Sequence, residues 1–129
     1  MLHKLSADER GKLTPDQKNC YDLILGYSQN GDWTSQSTTA WALFGYSTER
    51  EKRKTRKIIH ELRVDFGVPI ISGPYGYRLA QDEDELFLFC KEIERKAKAA
   101  TKSYFETFRA MAKNLPGQTG LFVNMDQND

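Results

Sequence analysis

Apolar and polar positions along the chain fall into a short run of distinct patterns. Thr14-Pro15-Asp16-Gln17 reads as a helix start. Thr14 supplies the N-cap, Pro15 sits where no N–H is needed, and Gln17 completes a capping box. Cys20, Leu23, Ile24 and Tyr27 then recur at helical spacing, and Asn30-Gly31 marks a turn, so a first long helix is expected from Pro15 to about Ser28. Asp32-Trp33-Thr34 reads as a short extended segment with Trp33 anchored in the core. Ser35 caps a second helix, Gln36 to Phe44, with Ala40, Leu43 and Phe44 inward. Gly45-Tyr46 makes the turn into a third.

The third helix carries the strongest pattern. Thr48 and Glu51 have capping-box spacing, and Thr55, Ile58, Ile59, Leu62 and Phe66 form one apolar stripe. Gly67 ends the helix, because glycine takes the left-handed C′ conformation at low cost. Two β-type runs follow, Val68-Pro69-Ile70-Ile71-Ser72 and Tyr77-Arg78-Leu79-Ala80, around the turn Gly73-Pro74-Tyr75-Gly76; this predicts a tight hairpin. Tyr77 and Leu79 share its inner face, and Arg78 points outward to solvent or phosphate.

Asp82-Glu83-Asp84-Glu85 opens a further helix, with acids where the dipole favours them. Leu86, Cys90, Ile93, Ala97, Ala100, Tyr104, Phe108 and Met111 recur every three or four residues, to about Lys113. Such a helix, about 45 Å long at 1.5 Å per residue, outreaches a small domain. Either it breaks near Ala99 to Ser103 and folds back on its own core, or it self-associates as a homodimer through Tyr104-Phe105-Phe108. Asn114-Leu115-Pro116-Gly117 stops it. The expected organisation is a flexible arm over residues 1–13, a folded domain over 14–80, a helix over 81–114 and a disordered polar tail over 115–129. The fold class is mainly α with a small β-hairpin.

Charge changes this picture only through its distribution. The 129 residues carry a net charge of +1, which by itself announces no polyanion partner. The balance is a cancellation between segments. The third helix carries Arg50, Lys52, Arg53, Lys54, Arg56, Lys57 and Arg63 against Glu49, Glu51 and Glu61. Positive charge crowds the positive end of the helix dipole, which is unfavourable alone and favourable beside a polyanion. Cys20 and Cys90 read as small buried hydrophobes; neither has ligand neighbours at metal spacing, and no disulfide, metal or cofactor is expected. No catalytic constellation stands out, so no enzymatic activity is expected. Nor does any apolar run have the length of a membrane span, and a cytoplasmic protein is expected.

Glu61-Leu62-Arg63, Phe66-Gly67, Pro69-Ile70-Ile71 and Gly76-Tyr77-Arg78-Leu79 resemble the recognition helix and wing of winged helix-turn-helix domains. The N-terminal domain of biotin-operon repressors and small winged-helix proteins of phages and prophages are similar over roughly Thr14 to Ala80. About four more residues separate Gly45 from Leu62-Arg63 here, which lengthens the recognition helix by a turn. The resemblance implies a double-stranded DNA-binding protein of transcription or replication. Arg53, Lys54, Arg56 and Lys57 would reach base edges; Arg50, Lys52 and Arg63 would take phosphates; Tyr75 and Arg78 would serve the wing. In the tail, Gln118-Thr119-Gly120-Leu121-Phe122 resembles the bacterial sliding-clamp-binding motif. There Gln118 would bond the pocket rim, and Leu121 and Phe122 would fill it. The third residue that the motif favours is replaced by Gly120. This likeness implies the alternative of a protein-interaction module that docks on a DNA sliding clamp or another replication protein.

Overall fold

In the computed structural model, residues 4–115 are described. The order is α1 (Ala7–Gly11), α2 (Pro15–Gln29), α3 (Gln36–Phe44), α4 (Glu49–Phe66), β1 (Ile70–Gly73), β2 (Gly76–Leu79) and α5 (Glu83–Ala112). The chain divides into two units at Phe87/Leu88. The mainly helical class, the antiparallel hairpin and the long C-terminal helix match expectation.

In the first unit, α2 begins as its sequence dictates. The Thr14 hydroxyl accepts from the Gln17 N–H and the Gln17 side-chain Oε1 accepts from the Thr14 N–H, closing the box around Pro15. Its buried face differs from expectation. Gln17, Cys20, Tyr21, Ile24 and Ser28 are buried, whereas Leu23 is half-buried and Tyr27 exposed. Tyr21 takes an inward place instead, its hydroxyl accepting the Leu5 N–H at 2.8 Å in the interior. Burial also keeps the Cys20 thiol protonated, pushing its pKa up to about 12.

The segment expected to be a flexible arm is folded from its first described residues. Ser6 and Glu9 form a reciprocal capping box that starts α1. Leu5 is buried, and Arg10 grips Asp22 of α2 through two bonds, 2.6 and 3.1 Å. A box of this kind satisfies two orphan N–H groups at once, so five residues suffice when a neighbouring helix supplies the packing.

Helix α4 buries Thr55, Ile58, Ile59 and Leu62 of the stripe read from the sequence, and Phe66, its last member, is half-buried against the core. Gly67 ends it at φ +64°. Its start differs from expectation: no side chain caps the backbone at Thr48. The Thr48 hydroxyl donates instead to the Glu51 carboxylate, so the box is not closed. The hairpin pairs Ile70 with Leu79 and Gly73 with Gly76, leaving Pro74 and Tyr75 at the tip. A third extended residue joins it. Thr34 and Tyr77 exchange two backbone bonds, each 2.8 Å, which ties the α2–α3 connection to β2. The core gathers Ile24, Ile59, Leu62, Val68, Ile70 and Leu79 among others. Ser28 locks α2 to the hairpin, donating to the Ile24 carbonyl and accepting the Leu79 N–H.

Helix α5 runs unbroken from Glu83 to Ala112, without the break considered near Ala99 to Ser103. Cys90 is exposed, contrary to expectation, because it lies on a helix face of which little is covered. Ile93, Tyr104, Phe108 and Met111 are exposed on the same helix, and Phe105 is half-buried.

Candidate nucleic-acid interface

The spacing of buried residues on α4 fixes which cations look outward. With Thr55, Ile58, Ile59 and Leu62 inside, the opposite line at steps of three and four is Arg50, Arg53, Lys57, His60 and Val64. All five are exposed. Three consecutive turns of this line therefore present a cation to solvent. Arg53 has one weak ion pair, 4.0 Å from Glu49, between side chains that are both largely exposed; pairs of this kind contribute little.

The remaining cations of α4 lie on its flanks. Arg56 bonds Glu49 at 2.7 Å and the Gln36 amide oxygen at 3.2 Å. The Arg56 guanidinium holds the Glu49 carboxyl below its usual range, with Arg53 and Lys52 adding to the effect. Lys54 stands over the Phe44 ring at 5.3 Å, and Lys52 is half-buried. Of the four residues expected at base edges, the structure puts Arg53 and Lys57 on the outer line and Lys54 and Arg56 beside it. Of those expected on phosphates, Arg50 is outward.

Arg63 and Arg78 are placed otherwise than expected. Arg63 is half-buried and donates from Nε to the Ile70 carbonyl at 2.8 Å, with its guanidinium pushed to lower pKa by burial. It fastens the end of α4 to β1. Arg78 stacks over the Trp33 ring at 4.4 Å, bonds Glu85 at 2.6 Å and donates to the Gly31 carbonyl at 3.0 Å. Its charge is neutralised inside the fold, since Glu85 follows within one helical turn of the α5 start and reaches back. Both arginines are thus engaged with the scaffold.

The hairpin tip completes the surface. Tyr75 is 73% exposed, the most accessible aromatic of the first unit. Between the tip and the start of α3 lies a cleft of about 500 Å³, lined by Ser35, Gln36, Ser72, Pro74, Tyr75 and Tyr77 among others. Gln36 links the two sides, donating to the Tyr77 hydroxyl at 3.1 Å while accepting from Arg56. Sequence reading passed over Gln36, because a polar residue in a first helical turn carries no pattern. No family model, characterised protein or solved structure matches the chain.

The basic face thus stands on geometry alone. Trp41 and Tyr46, 63% and 66% exposed, lie on α3 and in the turn before α4, and nothing in their spacing marked them as surface groups. Gln118, Leu121 and Phe122 lie outside the described residues. Among the described residues no group of three His, Cys, Asp or Glu side chains is placed to hold a metal ion. No helix among them is long and apolar enough to cross a membrane.

Proposed function

We propose that the chain is a double-stranded DNA-binding protein of the winged helix-turn-helix kind. Helix α3, its turn and α4 form the helix-turn-helix, α4 is the recognition helix in the major groove, and the β1–β2 hairpin is the wing on the backbone. The observation that carries this reading is the outward line Arg50, Arg53 and Lys57. It stands on the second helix of a tight helix pair whose start is already positive by its own dipole. Arginine in that position can bridge guanine O6 and N7, lysine acts as a point charge, and Arg50 near the helix start suits a phosphate. Tyr75 at the hairpin tip suits a sugar or the minor groove. The Thr34–Tyr77 bridge and the Arg63–Ile70 bond fix the angle between hairpin and helix. A role in transcription or replication, of the phage-protein type, follows from the resemblance of the sequence.

Titration of a random-sequence duplex followed by fluorescence anisotropy tests the reading. With roughly four or five phosphates neutralised, affinity falls about a hundred- to thousandfold between 50 and 200 mM salt. Absence of binding at low salt, or binding indifferent to salt, overturns it.

A second reading is carried by Gln118-Thr119-Gly120-Leu121-Phe122, in which the tail docks the protein on a DNA sliding clamp. Truncation after Pro116 then abolishes capture by a bacterial clamp and leaves duplex affinity unchanged. Equal capture of full-length and truncated chains removes this reading.

A further inference from the structure

Helix α5 carries an apolar line that keeps to one face along its whole length. Leu86, Cys90, Ile93, Ala97, Ala100, Tyr104 and Met111 follow steps that sum to the 3.6-residue turn. Ile93, Tyr104 and Met111 are 48–75% exposed. Exposed apolar surface of this extent marks an interaction site. The charge along the same helix says what covers it. Residues 82–94 hold six acids (82–85, Glu92, Glu94) and one base (Lys91), a net −5. Residues 95–113 hold six bases (Arg95, Lys96, Lys98, Lys102, Arg109, Lys113) and one acid (Glu106), a net +5. Within the helix Arg95 pairs with Glu92 and Lys98 with Glu94 at the border of the two blocks, while Glu85 at the acidic end is held by Arg78. Acids and bases thus lie toward opposite ends of the helix.

We infer that α5 binds a second copy of this chain in antiparallel orientation, forming a twofold homodimer. Antiparallel pairing lays the acidic end of each helix on the basic end of the other. Parallel pairing would set acid on acid and base on base, which is destabilising. The two alanines place the crossing. With Ala97 facing Ala100 of the second copy, the helix axes approach closely where the side chains are small. Ile93 then meets Tyr104 of the second copy, Leu86 meets Met111, and Asp84 faces Lys113. Each partner's contact is repeated by symmetry, as an isologous interface requires. Tyr104, the one aromatic of the line, can bury roughly 150–250 Å² per copy, and the aliphatic positions add to it toward the roughly 800 Å² per partner of a standard interface.

The native cysteines make orientation measurable. Cys20 is buried and Cys90 exposed, so Cys90 is the accessible thiol. In the antiparallel register Cys90 faces Thr107 of the second copy, and the two Cys90 residues stand about 25 Å apart, seventeen residues at 1.5 Å each. Sedimentation of the full chain at tens of micromolar is expected to give twice its 14.9 kDa mass. Mild oxidation is expected to leave the wild type unlinked and to link Thr107→Cys into disulfide dimers. Cys90 and position 107 are too far apart along one helix to bond within a chain. Tyr104→Glu with Met111→Glu raises the dimer dissociation constant at least a hundredfold, with helical circular dichroism kept. A monomeric wild type overturns the inference, as it would if residues 116–129 or another protein covered the line. Oxidative linkage of the wild type through Cys90 shows a parallel pair and also overturns it. A dimer unlinked in both forms overturns the register. None of these readouts depends on DNA.

Discussion

Arg53→Ala combined with Lys57→Ala is expected to lower duplex affinity at least thirtyfold at moderate salt, about 2 kcal/mol, and to flatten the log–log salt dependence by about two. Both residues stand on the outer line of α4, on consecutive turns, opposite the buried stripe. In the proposed DNA complex a cation held there would meet either a base edge, worth about 1–3 kcal/mol of discrimination, or a phosphate, which contributes one released counterion. The thermal midpoint is expected to stay within a few degrees, because substitutions at exposed helical positions change stability by roughly 0.5 kcal/mol at most. Removing positive charge from the positive half of a helix also relieves an unfavourable dipole interaction. A double variant that binds as tightly as the wild type would take the outer face of α4 out of the interface. A variant that loses affinity and unfolds at ordinary temperature would place these residues in the fold and not on its surface.

That distinction between surface and scaffold cations is where the sequence fell short. Seven basic residues on α4 read as one electropositive block. The structure separates them: Arg50, Arg53 and Lys57 lie opposite the buried stripe, with Lys54 and Arg56 beside that line. Position alone could not tell that Arg63, on the flank, would spend its Nε on the Ile70 carbonyl seven residues later. Nor could strand alternation tell that Arg78, outward by the pleat, would be enclosed by Trp33 and Glu85. Those partners come from other elements, and a guanidinium satisfies whichever acceptor the fold delivers. The helix ends were legible where a cap is local: Thr14 with Gln17, and Gly67. Ser6 with Glu9 was equally local, yet its helix lacks apolar period and depends on Leu5 reaching Tyr21. The face of α2 was misread for a related reason. Cys20, Tyr21, Leu23, Ile24, Leu25 and Tyr27 supply apolar groups on several sides, so periodicity alone did not single out the face that the rest of the fold covers. Cys90 was assigned to a core by its apolar company, but that company is itself largely exposed.

Gly76→Ala is expected to destabilise the first unit by at least about 3 kcal/mol. Gly76 holds φ +117°, a region that costs an L-residue of order 1–3 kcal/mol. An added Cβ would also stand 2.1 Å from the Thr34 carbonyl oxygen and 2.7 Å from the Ser35 Cα. These are backbone atoms, so no side chain can swing away to make room. The α2–α3 connection would have to move off β2, stretching the two 2.8 Å bonds between Thr34 and Tyr77, each worth about 1 kcal/mol net. For a unit of this size, 3 kcal/mol lowers the melting midpoint by more than about 10 °C. Gly67→Ala supplies the comparison. Gly67 also has positive φ, but nothing lies within 4 Å of its added Cβ, so only the conformational cost of about 1–2 kcal/mol applies. A Gly76→Ala protein melting as high as Gly67→Ala would mean that Thr34 does not lie against the hairpin. Where the Gly76 variant remains folded, at low temperature, its hairpin is no longer held by Thr34. Tyr75 is then displaced, and duplex affinity falls although every cation of α4 is intact. Loss of affinity in that variant separates a wing that must be held in place from a basic helix sufficient by itself.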